Sequence, residues 1–318
     1  MYELNWGLPV ILYLFLGGMG AGAGAVSASV FLRGGGGDLA SSNFNFARWG
    51  AILAPPMVIL GTGMIIFELG SFQAGNYFRF INLFLTINMS PMSIGSWVLA
   101  LFILVSLGYA YTFIAKQAHP GDERHNLRKM LAWAMVPLGV GVALYTGILL
   151  GAMPARPFWN SPILAMLFLI SSLSTGVAAI LLARSLFGQK NPSDEQALEQ
   201  NNSYLLSSSD MLLIGLEIVV IFLFIMYAHL TIGNVEAAVA VIMGGELTTL
   251  FWFGFVVLGL LLPAAIELKY VIPTLLYQKA YAIPRVMEVL ICALVILGGF
   301  MLRYIVVIAG QITGPVGI

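Results

Sequence analysis

Eight stretches of this sequence are apolar for about as long as a helix needs to cross a membrane: roughly 8–32, 49–69, 92–115, 130–152, 161–186, 210–230, 248–268 and 286–309. About 20 apolar residues span the hydrocarbon core of a bilayer. A 318-residue soluble fold has no interior large enough to hide eight such runs. Composition agrees, with 60% hydrophobic and 9% charged residues, where soluble domains carry about 25% charged. In lipid the backbone must satisfy its own hydrogen bonds, which leaves helices or closed barrels, and the alternation of a barrel strand is missing. The sequence therefore predicts an all-α integral membrane protein, a bundle of eight transmembrane helices forming a single domain over 1–318. The first run lacks a basic leader and a small-residue cleavage site, so it reads as a span and not as a removed signal peptide.

Eight spans place both termini on one side, and the basic residues say which. Loops after the odd-numbered spans, with the flanking helix ends, hold Arg33, Arg48, Lys116, Arg124, Arg128, Lys129, Arg184, Lys190, Lys269, Lys279 and Arg285. The other side holds Arg79, Arg156 and Arg303. By the positive-inside rule, 11 against 3 of the 14 cations put both termini on the outer, periplasmic side of a bacterial or archaeal cytoplasmic (inner) membrane. The loops 119–129 and 188–210 are polar and of mixed sign, and read as solvated connections, the second of them mobile.

Several chemistries are excluded. Zero net charge argues against a nucleic-acid partner. One cysteine, Cys292, rules out a disulfide framework and a Cys-ligated cluster. Of three histidines, only His229 lies near a span, which argues against a bis-histidine haem. No HExxH motif or carboxylate cage suggests a metal. The run GAGAGA (20–25) has no preceding strand, so it reads as close helix packing, not as a nucleotide loop.

Ionisable groups inside a membrane are costly and point to function. Glu68, Asn88, Ser90, Ser93, Tyr145, Tyr227, His229, Glu246 and Arg303 fall toward the terminal side, while Glu217, Glu267 and Glu288 fall toward the other. The terminal group is contributed by many helices and is bracketed by the proline-stiffened loops NMSPMS (88–93) and MPARPFWNSP (153–162). Together they describe an amphipathic pocket with aromatic walls and hydroxyl donors. A membrane-soluble quinone fits such a pocket, having an apolar tail, a flat ring and two carbonyls that need donors. Glu288 has a possible partner in Arg285, one turn away, and Glu267 in the adjacent Lys269.

The motifs YLFLGGMGAG (13–22), SPMSIGSW (90–97), YTGILLGA (145–152), RPFWNSPILAMLFLISSLSTG (156–176) and GGFMLRYIVVIAG (298–310) resemble the membrane-subunit family of polysulfide reductase, also called NrfD-like. The similarity runs in order over nearly the whole chain. The resemblance implies a membrane anchor without haem or iron–sulfur cluster. It also implies that quinone, such as menaquinone, binds near the face where an iron–sulfur subunit docks. Many such complexes are completed by a larger catalytic subunit, often with molybdopterin. The resemblance points to Tyr145 and the GG pair Gly17 and Gly18 as quinone-site residues.

The resulting expectation is a quinone-linked membrane subunit of a respiratory oxidoreductase. Tyr145 donates to one quinone carbonyl, and His229, or Asn88 with Ser90, reaches the other. Glu217, Glu267 and Glu288 begin a proton path, with Arg303 on it and Glu68 at its end. Arg156 and Trp159 offer a docking contact to the partner. Two rivals stay open: a secondary transporter, with Pro137 and Pro263 as helix breakers, and a structural anchor with no quinone site.

Overall fold

A computed structural model describes residues 6–33, 42–68, 81–85, 89–114, 124–188, 193–231, 234–277 and 280–313. Among these residues the chain is helical and has no strand. The helices are α1 (Leu8–Arg33), α2 (Ser42–Glu68), α3 (Asn82–Leu85), α4 (Pro91–Ile114), α5 (His125–Gly151), α6 (Ile163–Phe187), α7 (Ser193–Leu230) and α8 (Asn234–Met243), then a π-helical segment (Leu250–Leu261) running into α9 (Leu262–Tyr277), and α10 (Arg285–Ile312). Among the described residues eight helices, the π segment and α9 counted as one, are long and apolar enough to cross a membrane. The protein is therefore a multi-span membrane protein.

α1 is the axis of the bundle, packed against α2, α5, α6 and α10. Its glycines let it be so. A Cβ on Gly22 would collide with the Ser172 carbonyl of α6, and one on Gly176 would collide with α1 at Gly22 and Ala23. Close backbone approach of this kind replaces the hydrophobic drive that is absent in lipid. A second such crossing joins the π segment to α10. There a Cβ on Gly259 would stand 2.5 Å from the Gly298 Cα, and one on Gly298 2.7 Å from the Gly259 Cα.

The start of α1 and the end of α10 meet on one face of the bundle. The Trp6 N–H donates to Gln311 Oε1 at 2.8 Å, and Gln311 Nε2 donates back to the Trp6 carbonyl at 2.9 Å. The face bearing this clasp is the terminal face. The loop between α5 and α6 folds onto it. Trp159 Nε1 donates to the Val306 carbonyl at 2.7 Å, and its ring stacks on Trp6 with centroids 5.2 Å apart. Arg156 Nη1 donates to the Gly310 and Gln311 carbonyls at 3.4 and 2.7 Å, satisfying carbonyls that the last turn of α10 leaves without helical partners.

Two expectations fail on the other side. The polar run 188–210 is not a mobile connection over its second half, because α7 starts at Ser193 and carries Ser203, Ser207 and Asp210 inside the bundle. Nor is the segment ending at Lys129 simply solvated. α5 begins at His125, and Arg128 is buried within 4.9 to 5.9 Å of the Phe31, Phe44 and Phe113 rings, with Nη2 donating to the Thr112 carbonyl at 2.6 Å. An arginine can sit among rings because its charge meets their negative faces.

Candidate functional site

Near the terminal face, α1, α4 and α5 converge on two tyrosines. The Tyr13 and Tyr145 hydroxyls are hydrogen-bond partners. Tyr13 is buried and Tyr145 half-buried. The Tyr145 ring lies on bare α4 backbone, since a Cβ on Gly95 would fall inside it. One turn along α1 from Tyr13, Gly17 is buried, yet a Cβ placed there would meet no atom within 4 Å. Of two paired phenols, one hydroxyl is spent as donor to the other, which keeps its own O–H to give away. The tyrosine pair thus has one donor to offer a ligand beside an apolar flank that has room.

Of the other residues expected here, Ser90 is at the surface, and its hydroxyl accepts from the Ser93 N–H at 3.2 Å, capping the start of α4. Asn88 lies outside the described residues, as does the side chain of Glu68. His229 is exposed at the end of α7, a helix packed chiefly on α6, α8 and α9. The structure does not bring it to Tyr145. Trp159 is 2% exposed and its ring is held between Trp6 and α10, which leaves no free face for a partner. Arg156 is only partly covered.

Deeper in the bundle lies a second polar assembly, between α6, α7, α9 and α10. Arg303 is 0% exposed, so it does not snorkel to an interface. Its Nη1 donates to Ser171 Oγ at 2.5 Å and to the Gly299 carbonyl at 3.1 Å. Its Nη2 donates to Ser172 Oγ at 3.0 Å and to the Phe168 carbonyl at 3.3 Å. Ser171 is also a hydrogen-bond partner of Glu217, so one hydroxyl bridges acid and base. Arg303 therefore belongs with Glu217 and not with the terminal group. Glu217 stands fourteen residues from Ser203 and thirteen from Leu230, the middle of its span.

Toward the face opposite the termini, Asp210 accepts from Ser174 Oγ at 2.6 Å. Glu267 accepts from Ser207 Oγ at 2.8 Å, and Ser207 is also a hydrogen-bond partner of Tyr281. Asp210 and Glu267 are close enough to act on each other electrostatically. Burial pushes the Tyr281 hydroxyl up to about 12, so this residue, which lies between the last two spans, stays a neutral donor. Glu288 pairs with Arg184 of α6 at 2.9 Å, not with Arg285 of its own first turn, and Arg184 Nη1 also donates to Ser203 Oγ at 2.7 Å. Glu267 is buried against α7 and not set in an interfacial pair with Lys269. Buried Asp210 is the acid that reading by hydropathy misses, because it sits where a polar run meets an apolar one. Among the described residues no group of three or more His, Cys, Asp or Glu is placed to hold a metal.

The family described as polysulphide reductase, NrfD, matches residues 1–315. Protein NrfD of Escherichia coli K12 is 28% identical, with 98% of this sequence and 96% of its own covered. A polysulfide reductase chain from Wolinella succinogenes is 30% identical, with 96% and 94% covered. A selenate reductase subunit from Mesobacillus selenatarsenatis is 27% identical over 45% of this sequence and 32% of its own.

Proposed function

Because this protein belongs to the NrfD, polysulphide reductase family, we propose that it is the quinone-linked membrane subunit of a respiratory reductase complex in a cytoplasmic membrane. The observation that carries this reading is the Tyr13–Tyr145 hydroxyl pair beside the open flank at Gly17. A bound quinone, menaquinone being the expected type, supplies two-electron, two-proton redox chemistry. The protein supplies the rest. Tyr145 donates its hydroxyl to one ring carbonyl, and Tyr13 holds that hydroxyl in place. The glycines of α1 and α4 leave space for a flat ring and for the Tyr145 side chain.

The terminal face is the periplasmic one, on the charge asymmetry of the loops. An iron–sulfur subunit docks there, with Arg156 as a contact, and the complex is completed by a larger catalytic subunit. The names of the relatives, subunits of polysulfide and selenate reductases, support a partner that carries the substrate chemistry. Protons reach the site through Glu288, Glu267, Glu217 and Arg303, groups that the bundle places from its opposite face to mid-span; Glu68 stands as the outer end of that path.

Mass spectrometry of the protein drawn gently from native membranes tests the reading. Co-purification of an iron–sulfur protein and near-stoichiometric quinone, with saturable binding of a quinone analogue, is the expected result. A protein that emerges alone and binds no analogue in several mild detergents overturns it.

A further inference from the structure

The π segment running into α9 buries Phe251, Phe255, Gly259, Pro263, Glu267 and Val271, with Leu260 beside Gly259. Its exposed side carries Phe253, Val257, Leu261, Ala265 and Lys269. Both faces keep a step of four residues. A straight α-helix cannot hold that step on one side. It turns by about 100° per residue, so each step of four overshoots a full turn by about 40°. A π-helix, bonded i to i+5, takes in more than four residues per turn, so the same step falls short instead. The shortfall in the π segment and the overshoot in α9 offset each other, and the buried face stays in line from Phe251 to Val271.

Pro263 marks the change from one geometry to the other. The Leu262 N–H bonds to the Val257 carbonyl, five residues back. The next bond of that kind would join Pro263 to the Leu258 carbonyl, and proline has no N–H to give. The π run ends there, and the Leu258 carbonyl is passed over by both neighbours. An α run through the same point is opposed as well, because the Pro263 ring would press on the carbonyl of Gly259, four residues back. Gly259 is itself fixed backbone to backbone against Gly298 of α10. Apart from the indole N–H of exposed Trp252, no side chain from Leu250 to Leu262 is polar. Backbone geometry, not a polar contact, therefore sets the rotation of this span.

We propose that the π segment and Pro263 form a positioning device that turns Glu267, and not Lys269, into the bundle. Glu267 lies sixteen residues from Phe251, and Lys269 eighteen. If the span were α-helical throughout and still anchored at Phe251, Glu267 would point about 160° away, toward lipid, and Lys269, after about five full turns, would stand on the buried face. In the structure Glu267 is 1% exposed and accepts from Ser207 Oγ of α7 at 2.8 Å, while Lys269 is exposed. The exchange would reverse the chemistry of the position. A carboxylate accepts a hydrogen bond and takes up a proton, whereas an ammonium has three donors and no acceptor. The rotation stands on geometry alone, and only its effect on charge transfer rests on the reading of Glu267 as a proton carrier.

The test uses the native complex in liposomes and a lipid-soluble carbodiimide, a reagent for protonated carboxyl groups that meet lipid. A carboxyl turned to lipid takes up a proton and becomes its target. Mass spectrometry of the peptide carrying Glu267 reads the modification, with Glu267→Gln as the blank. The wild type is expected to be protected. Pro263→Ala restores the N–H and removes the ring, so Glu267 is expected to be modified and the charge moved per electron to fall. Deleting Val257 and Leu261, both on the exposed side, from the Pro263→Ala chain leaves Glu267 fourteen residues from Phe251. That is about 40° short of four α turns, so protection should return, whereas a chain that had merely lost packing would be harmed further. Modification of the wild type, protection in Pro263→Ala, or modification that the deletions leave in place overturns the positioning role. Modification in Pro263→Ala with full charge per electron supports that role and removes Glu267 from the proton path. Should Pro263→Ala fail to accumulate, infrared spectroscopy of the wild type with an isotope-labelled Leu258 carbonyl decides. A free-carbonyl band supports the π register, and a hydrogen-bonded one, as an α-helix would give, overturns it.

Discussion

Replacing Tyr145 with phenylalanine removes one hydroxyl and little else. The ring stays on the bare backbone of α4 at Gly95, and phenylalanine fills the same place. What goes is the partner of Tyr13 and the donor to the ligand. A neutral hydrogen bond contributes about 1 kcal/mol net, and leaving a buried group without its partner costs up to about 3 kcal/mol. At about 1.4 kcal/mol per factor of ten, Tyr145→Phe should weaken a quinone analogue by about fivefold to a hundredfold. Tyr13 is buried behind Tyr145, so Tyr13→Phe acts through the same hydroxyl. The double variant should then be no weaker than the sum minus about 1 kcal/mol of coupling. Titration of a fluorescent quinone analogue into the purified protein reads all three. Unchanged affinity in Tyr145→Phe, or strictly additive losses, would refute the tyrosine-pair site. Gly95→Ala gives a harsher form of the same test, because its methyl displaces the Tyr145 ring: binding should be lost while the helical content persists.

Arg156→Glu should lower the yield of co-purifying partner subunits, measured by mass spectrometry. It should also lower the thermal midpoint, because an acid would then face the α10 carbonyls that Arg156 now satisfies; a fall in midpoint with full partner retention removes Arg156 from the docking surface. Arg184→Gln breaks the pair with Glu288. It should cost about 2 kcal/mol in detergent unfolding, less than for a fully buried pair since the two side chains are 15% and 10% exposed.

All eight spans can be read from hydropathy, which samples twenty residues at a time and is insensitive to which way each residue faces. Direction is what it loses. Asp210, at the edge of a polar run, reads as loop, although Ser203, Ser207, Asp210 and Glu217 already stand four, three and seven residues apart, the spacing of one helical face. Tyr13 enters the sequence reading only as the first letter of the motif 13–22, and its meeting with a helix over 130 residues away gives it meaning. Arg303 reads as terminal because nine residues separate it from the helix end, whereas its hydroxyl partners on α6 sit well inside the bundle. Trp159 reads as a surface anchor from composition alone, and the fold turns it inward against α10. Residues whose role is set by the same helix are legible; those set by another helix are not.

The glycine-lined α1 also bears on how the protein is made. A ribosome releases α1 before α6 and α10 exist, so for most of synthesis its notches at Gly18 and Gly22 face lipid or a neighbouring α2 that cannot fill them. The axis of the bundle is translated first and satisfied late. Insertion should therefore pass through a stage in which a membrane chaperone or loosely associated helices shelter α1. A lesion in α10 should expose the whole protein to quality-control proteolysis, even though the earlier spans are already in the bilayer.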